Sequence, residues 1–440
     1  MFRRRSFLKS SSLIAGGLVL PKLTFKSKKT NQKKLKIAVV GCGGRGTGAA
    51  VQALRADNNV ELIALADAFK DRLEMSLNAI KDEFAGEKEI NIKEKNKFVG
   101  FDAYEKAIDK SDVVILASPP GFRPSHFEYA INKNKHVFME KPVATDAHGV
   151  RQVLNSARIA KEKNLNVVVG LQRRYQKSYL SAKKQIDRGI IGKIISAHVR
   201  WNSAGVWVKE REMNQTEMEY QMRNWYYFNW LCGDHICEQH IHNLDVANWF
   251  LNEYPDTAQG MGGREIRKDK KFGEIFDHHY VEFKYKSGAI VSSQCRHQPN
   301  THRQVNETII GTKGVLEISG NGNAIIKSHN GDILFQYNQR GDESPYQIEH
   351  NKLFKNLRSG GYINDGENGA KATLTSIMGR MATYTGKIIN WEDAMSADDN
   401  MIPKNLSWNS NPPTLPDSNG LYKIPRPVSY THLRAHETDY

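Results

Sequence analysis

The stretch Lys36–Asp67, KIAVVGCGGRGTGAAVQALRADNNVELIALAD, restricts the fold of this chain more than any other. Ile37–Val40 is a short apolar run, the composition of a buried strand. Gly41, Gly43 and Gly46 follow as G-x-G-x-x-G, with Cys42, Gly44 and Arg45 between them. Gly46–Arg55 has helical character, and Val60–Ala66 is a second apolar run closed by Asp67. The order is strand, glycine turn, helix, strand, acid. In it Gly41 permits a tight turn, Gly43 lets the backbone approach a pyrophosphate, and Gly46 lets the helix pack close to the strand. The helix start presents its N–H groups to the anion. Asp67 stands 21 residues past Gly46, where a carboxylate accepts from ribose hydroxyls. A carboxylate there repels a 2′-phosphate, so NAD is expected over NADP. Arg72 close by tempers that preference.

A length of 440 residues predicts two domains. The formal charge of +15 first suggests a nucleic-acid partner, but its placement argues against one. Met1–Lys36 holds eleven Lys or Arg and no acid, which leaves a net of about +4 on the remainder. No basic stripe with interleaved aromatics is present, so no nucleic-acid partner is expected. Arg4-Arg5-x-Phe7-Leu8-Lys9, ahead of the apolar Leu13–Leu20, resembles a twin-arginine export signal, with Arg3 where Ser or Thr is usual. The apolar part is too short to span a bilayer. Recognition by the twin-arginine export machinery and a periplasmic or exported location are the expectation, with no A-x-A site to mark cleavage. Cys42, Cys232, Cys237 and Cys295 show no metal spacing and read as free buried thiols. Val428–Thr438 resembles read-through translation of a sequencing-library adapter, so residues 428–440 are set aside.

Strands alternate with helices up to residue 172. Asp112–Ala117, Lys135–Met139 and Asn166–Gly170 are apolar runs; Lys70–Phe84, Arg123–Asn132 and Asp146–Glu162 read as helices, the last capped by Asp146. Ala85–Lys97 reads as an exposed charged insertion. From Tyr280 onward short alternating runs separated by turns read as antiparallel sheet, and a long helix covers Gly369–Thr385. The expected fold is therefore α/β. A leader and linker occupy 1–35. A doubly wound, parallel Rossmann-type sheet occupies 36–172, and an α+β domain with a large open, mainly antiparallel sheet occupies 173–427.

The first half resembles the Gfo/Idh/MocA oxidoreductases. The matching residues are the Gly41–Gly46 turn, Ser118-Pro119, His126, and Lys135-His136-Val137-Phe138-Met139-Glu140-Lys141-Pro142. The resemblance implies a cofactor role for Ser118, Pro119, His126 and Glu140, and for Gln172 at the end of the last strand. It implies that Lys141 lies beside the nicotinamide and contacts the substrate hydroxyl. The family's Asp-x-x-x-His pair with a further Asp is matched by Glu238, His242 and Asp245, with Glu in place of Asp and His240 where a small residue is common.

Spacing adds its own argument. His235, Glu238, His242 and Asp245 fall at i, i+3, i+7 and i+10, one stripe of a helix; Cys237, Ile241, Leu244, Ala247 and Leu251 form the opposite stripe. His242 is the expected base, because an imidazole titrates near working pH, with Glu238 or Asp245 orienting it. Tyr175 is a candidate proton donor. Arg173, Trp225, His235 and His240 are candidate sugar contacts. H-E-x-x-H is absent and no metal is expected. The expected reaction transfers hydride between a carbinol carbon of a sugar or glycoside and a tightly held nicotinamide. A redox-neutral glycosidase (oxidation, elimination, hydration, reduction) is the alternative, and a nucleotide-holding sensor the third reading. A homodimer or homotetramer is expected.

Overall fold

The computed structural model describes residues 33–426. The twin-arginine leader and the adapter-like segment lie outside the described residues.

The Lys36–Asp67 stretch folds as β1 (Leu35–Val40), α1 (Gly44–Ala56) and β2 (Val60–Asp67). Then follow α2 (Lys70–Glu83), β3 (Lys97–Val99), α3 (Ala103–Lys110), β4 (Val113–Leu116), α4 (Arg123–Asn132), β5 (His136–Met139), α5 (Ala147–Glu162) and β6 (Val167–Val169). The six strands are parallel, in the order β3-β2-β1-β4-β5-β6. Chain direction across the sheet reverses between β1 and β4, so a crevice opens at their carboxyl ends. The central strands are buried on both faces, which is why their sequences run apolar without alternation. Asp146 caps α5, accepting from the Gly149 N–H at 2.7 Å.

The Ala85–Lys97 segment is largely exposed, as its charge suggests, but it is anchored at two points. Ile90 and Ile92 are buried against the α2 side of the sheet, and Lys97 opens the edge strand β3. Two isoleucines at strand spacing anchor an otherwise polar segment.

The second half contains α6 (Lys177–Asp187), β7 (Ile194–Ser203), α7 (Glu217–Arg223), α8 (Asn229–Cys232), α9 (His235–Glu238), α10 (Ile241–Leu251), β8 (Thr257–Gly263), β9 (His278–Lys284), β10 (Ile290–His297), β11 (Gln304–Gly311), β12 (Gly314–Ser319), β13 (Ala324–Ser328) and β14 (Ile333–Tyr337). The chain ends in α11 (Pro345–Ser359), α12 (Gly366–Thr385), β15 (Ile389–Asn390) and α13 (Trp391–Ser396). The nine-stranded sheet runs β14-β13-β12-β11-β7-β10-β9-β8-β15 and is antiparallel except where β10 lies parallel to β7. Along β10, Val291, Ser293, Cys295 and His297 are buried and the residues between them are not, so helices cover one face. On that face α12 packs between this sheet and the first one. A Cβ on Gly379 would lie 3.1 Å from Phe283, and one on Gly369 2.9 Å from Val169.

Helix α11 was not legible in the sequence. It returns to the first sheet and places Leu353 and Phe354 in the core around β1 and α2. The single helix expected over His235–Asp245 is broken. Helix α9 ends at Glu238 and α10 begins at Ile241. Asp234, at φ +72°, caps α9 by accepting from the His235 N–H. Both stripes are buried, because helix α12 and the second sheet enclose this segment. All four cysteines are unpaired and buried.

Candidate active site

A cavity of about 670 Å³ occupies the crevice between β1 and β4. Of the residues expected to hold the cofactor, Gly41, Gly43, Gly44, Arg45, Asp67, Ser118, Pro119 and His126 line it. The glycines divide into two kinds. A Cβ on Gly46 would stand 1.9 Å from the Gly41 carbonyl oxygen, and one on Gly41 (φ +95°) 2.3 Å from the Ser118 nitrogen. These two permit the close packing of turn, helix and β4. Gly43 and Gly44 meet nothing within 4 Å, so a side chain there would project into the cleft. Helix α1 has no side-chain cap and no acid in its first turn, which leaves its N–H groups for an anion. The Asp67 carboxylate accepts from the Cys42 N–H at 2.6 Å and the Phe69 N–H at 2.9 Å. Burial nevertheless raises its pKa. The Cys42 thiol turns inward to the Ala66 carbonyl, so Cys42 serves through its backbone. This set fits a dinucleotide: a glycine cradle open to the cleft, an uncapped helix start, and a carboxylate held at the end of β2.

His126 is a stacked wall of the cleft. Its ring lies 4.1 Å from that of Tyr104, and its Nδ1 is 3.1 Å from the Ser118 hydroxyl. Burial, with Arg123 beside it, pushes its pKa down to about 3, so the ring is neutral. Glu140 is tied to Arg45, which donates to it at 3.0 and 2.6 Å.

Lys141 follows β5. Its Nζ donates to Glu238 Oε1 at 2.8 Å and to the Glu238 carbonyl. The pair joins the end of the parallel sheet to α9, and both side chains keep 11 % exposure. His242 lies nearby with its Nδ1 lacking a partner. Burial, then the charges of Lys141, Arg173 and Arg45, hold its pKa well below the usual range. The imidazole is not oriented as expected. Glu238 is engaged by Lys141, and Asp245 accepts two bonds from Arg174, at 2.8 and 2.7 Å. The His242 ring instead stacks on Trp201, 6.2 Å between centroids.

Further expectations need correction. Tyr175 is not placed as a proton donor: its hydroxyl donates to Asp365 and its ring sits in the core with Leu353 and Phe354. Arg173 does not face a substrate, because it is buried and pairs with Glu307, which also accepts from Tyr179 and Asn243. His240 is buried against β10, Nε2 to the Ser293 hydroxyl at 2.7 Å. His235 is buried too, its Nδ1 bonded to Asp234 Oδ1 at 2.8 Å and its Nε2 without a partner. Trp225 lines the cleft itself, beside the residues expected for the dinucleotide. Gln172, Glu140, Lys141, Glu238 and His242 are not in the cavity lining; the Gln172 Oε1 is buried without a partner.

Sequence reasoning passed over Asp234. It brings ligand atoms within 4.8 Å of His235 and His279. Both its oxygens already accept, from His235 on one side and from the Phe276 N–H and Tyr384 hydroxyl on the other, so it acts as an orienting carboxylate. Its signal was the Gly-Asp pair ahead of His235, a place for positive φ.

A doubly wound sheet with this glycine turn, this acid, and a lysine that meets a second domain defines a nicotinamide-dinucleotide oxidoreductase. Residues 35–171 match the model of the oxidoreductase family with NAD-binding Rossmann fold, and residues 179–317 match the GFO/IDH/MocA C-terminal domain. The chain belongs to the Gfo/Idh/MocA oxidoreductase family. Among its relatives, inositol 2-dehydrogenase of Salmonella typhimurium (strain LT2) is 27% identical over 336 residues, 74% of this chain and 87% of that protein. The 2,7-anhydro-N-acetylneuraminate hydratase of Escherichia coli (strain K12) is 27% identical over 207 residues, 47% of this chain and 51% of that one. The fold is shared with aldose-aldose oxidoreductase from Caulobacter crescentus complexed with glycerol (TM-score 0.64, 18% identity, 81% of this chain and 100% of that one). It is also shared with scyllo-inositol dehydrogenase from Lactobacillus casei with bound NAD(H) and scyllo-inositol (TM-score 0.60, 21% identity, 82% and 100%).

Proposed function

We propose that this NAD-binding oxidoreductase oxidises a secondary hydroxyl of a sugar, cyclitol or glycoside and keeps its cofactor bound. The observation that carries this is the Lys141–Glu238 pair, which ties the end of the parallel strand β5 to α9 and keeps 11% of each side chain exposed. The nicotinamide, when bound, supplies a hydride acceptor. The chain supplies the rest. The Lys141 ammonium polarises the substrate oxygen, Glu238 holds the ammonium in place, and the neutral His242 takes the hydroxyl proton at a ring nitrogen. Sequence similarity to inositol dehydrogenases supports a polyhydroxylated ring as substrate.

A redox-neutral reaction is the second reading. The Escherichia coli relative is a hydratase, a net addition of water. The leader supports export by the twin-arginine route to a compartment without a free NAD pool. The open face of the nine-stranded sheet supports a homodimer or homotetramer.

The test is protein ending near Pro427, purified without added nucleotide, denatured, and analysed for released cofactor by mass spectrometry. Native protein is then given sugars and glycosides while the reduced-nicotinamide band is followed. Reduction by one sugar and reoxidation by another is the expected result. Glycoside cleavage without net reduction selects the second reading.

A further inference from the structure

The outer wall of the cleft does not come from the parallel sheet. Trp207, Lys209, Met222, Arg223 and Trp225, all in the excursion after β7, line the same cavity as Asp67 and Phe69. This wall is fastened to the sheet opposite it. The Arg223 guanidinium lies 4.0 Å over the Phe69 ring and donates to both Asp71 oxygens, at 3.2 and 3.3 Å. Its Nε donates to Glu219 at 3.0 Å, which holds it from its own helix.

The wall is also braced from behind. The Tyr227 hydroxyl donates to the Trp207 carbonyl at 3.0 Å, and the Lys209 N–H donates to the Asn224 side chain at 2.9 Å. Gln221 donates to the Thr414 carbonyl of the C-terminal tail at 2.7 Å, and Tyr422 of that tail bonds Glu217. The tail then sets Trp408 against Phe69 and Phe101, 5.0 and 4.6 Å between centroids. Two indoles in the wall meet edge to face, Trp207 and Trp225 at 5.7 Å. Trp207 keeps 43% of its surface exposed although it faces a cavity walled by aromatic rings. A large indole left exposed on the wall of a cleft is surface suited to a flat apolar partner.

We propose that the 207–225 excursion completes the dinucleotide site as an adenine-side wall and keeps NAD as a resident group between turnovers. The inference rests on the oxidoreductase reading above and names the part of the chain that retains the cofactor. The chemistry is a purine ring among indoles and the Arg223–Phe69 stack. The cofactor leaves only when the Arg223–Asp71 ion pair opens, so release is coupled to separating two elements that the tail also ties together.

The experiment is exchange of bound NAD against isotopically labelled NAD, read by native mass spectrometry on the protein ending near Pro427. The wild type is expected to keep its unlabelled NAD for hours. A Trp207→Ala, Trp225→Ala double variant is expected to exchange about tenfold faster or more, the factor that ~1.4 kcal/mol of lost stacking corresponds to. Trp408→Ala, outside the cavity lining, is expected to accelerate exchange through Phe69 and Phe101. Circular dichroism and the melting transition of each apo variant establish that it is folded. Wild-type exchange complete within minutes, or folded variants that retain NAD as the wild type does, overturn the proposal while the oxidoreductase reading stands. A wild type that takes up no NAD overturns both.

Discussion

The Lys141 ammonium lies 2.8 Å from Glu238 Oε1, across 97 residues of chain. One partner stands at the carboxyl end of a parallel strand and the other in the first turn of a helix packed on the second sheet. Neither side chain is fully sealed, each keeping 11% exposure. Lys141→Met is expected to keep bound NAD while its reduction by substrate falls by a factor of about 10²–10⁴, the usual worth of a positioned acid or base. Glu238→Gln leaves the ammonium without its anion and is expected to slow the same step less. Stopped-flow absorbance on the NAD-loaded protein checks both; undiminished reduction by the Lys141 variant would remove the lysine from the mechanism.

The two kinds of glycine separate fold from function. Gly46→Ala forces a methyl to within 1.9 Å of the Gly41 carbonyl, so the turn and α1 must move apart. A lowered melting temperature or insoluble protein is expected. Gly43→Ala meets no protein atom within 4 Å, and its φ of −77° suits any residue. It is expected to melt like the wild type yet bind NAD at least about tenfold more weakly, because the methyl occupies the approach of the phosphates. Calorimetric titration and a melting curve on each variant decide the matter.

Tyr175 is expected to matter for stability and not for turnover. Its hydroxyl donates to the buried Asp365, whose pKa burial already raises. Tyr175→Phe leaves that carboxyl short of a donor, at a cost of about 1–3 kcal/mol. Urea unfolding should shift by that amount while the rate of cofactor reduction stays within about twofold of the wild type in the wild-type pH range. A large loss of rate in a folded variant would return Tyr175 to the site.

The buried imidazoles make stability depend on pH. Burial lowers His126 and His350 from 6.5 to about 3 and His279 to about 4. The unfolded chain takes up these protons near pH 6.5, and the folded chain does not until far lower. Stability is therefore full above about pH 6.5 and falls as pH drops toward the folded-state values. His350 offers the cleanest check, since both ring nitrogens lack partners and the ring packs 4.1 Å from Phe138. His350→Leu is expected to lessen the stability lost between pH 7.5 and pH 5 by about 1–2 kcal/mol. Denaturant melts at the two pH values measure it, and an unchanged difference would contradict the assignment.

The parallel half was readable because its signals are local. Apolar runs such as Ile37–Val40 and Val113–Leu116 are buried on both faces, and the Gly41–Gly46 turn has one geometry that suits a strand followed at once by a helix. Helix α11 escaped because its apolar residues pack on α1, some three hundred residues earlier, and its own stretch is mostly polar. Arg173 and Tyr175 read as site residues because they follow the last parallel strand. Only the packed structure shows that Glu307 and Asp365, each more than a hundred residues away, already hold them.

The sequence by itself determined five of the six strands of the nucleotide sheet, the placement of Asp67 at the end of β2, and the antiparallel character of the second sheet; the edge strand β3 it did not show. Backbone propensity, side-chain period and turn chemistry act over a few residues, and they are written in adjacent letters. Tertiary structure alone decided that Lys141 meets Glu238, that Asp245 serves Arg174 and not His242, and that Arg223 closes on Phe69 and Asp71 across the cleft. A charge buried far from water takes whichever opposite charge the packing brings within 3 Å, and that choice depends on how two sheets are set against each other.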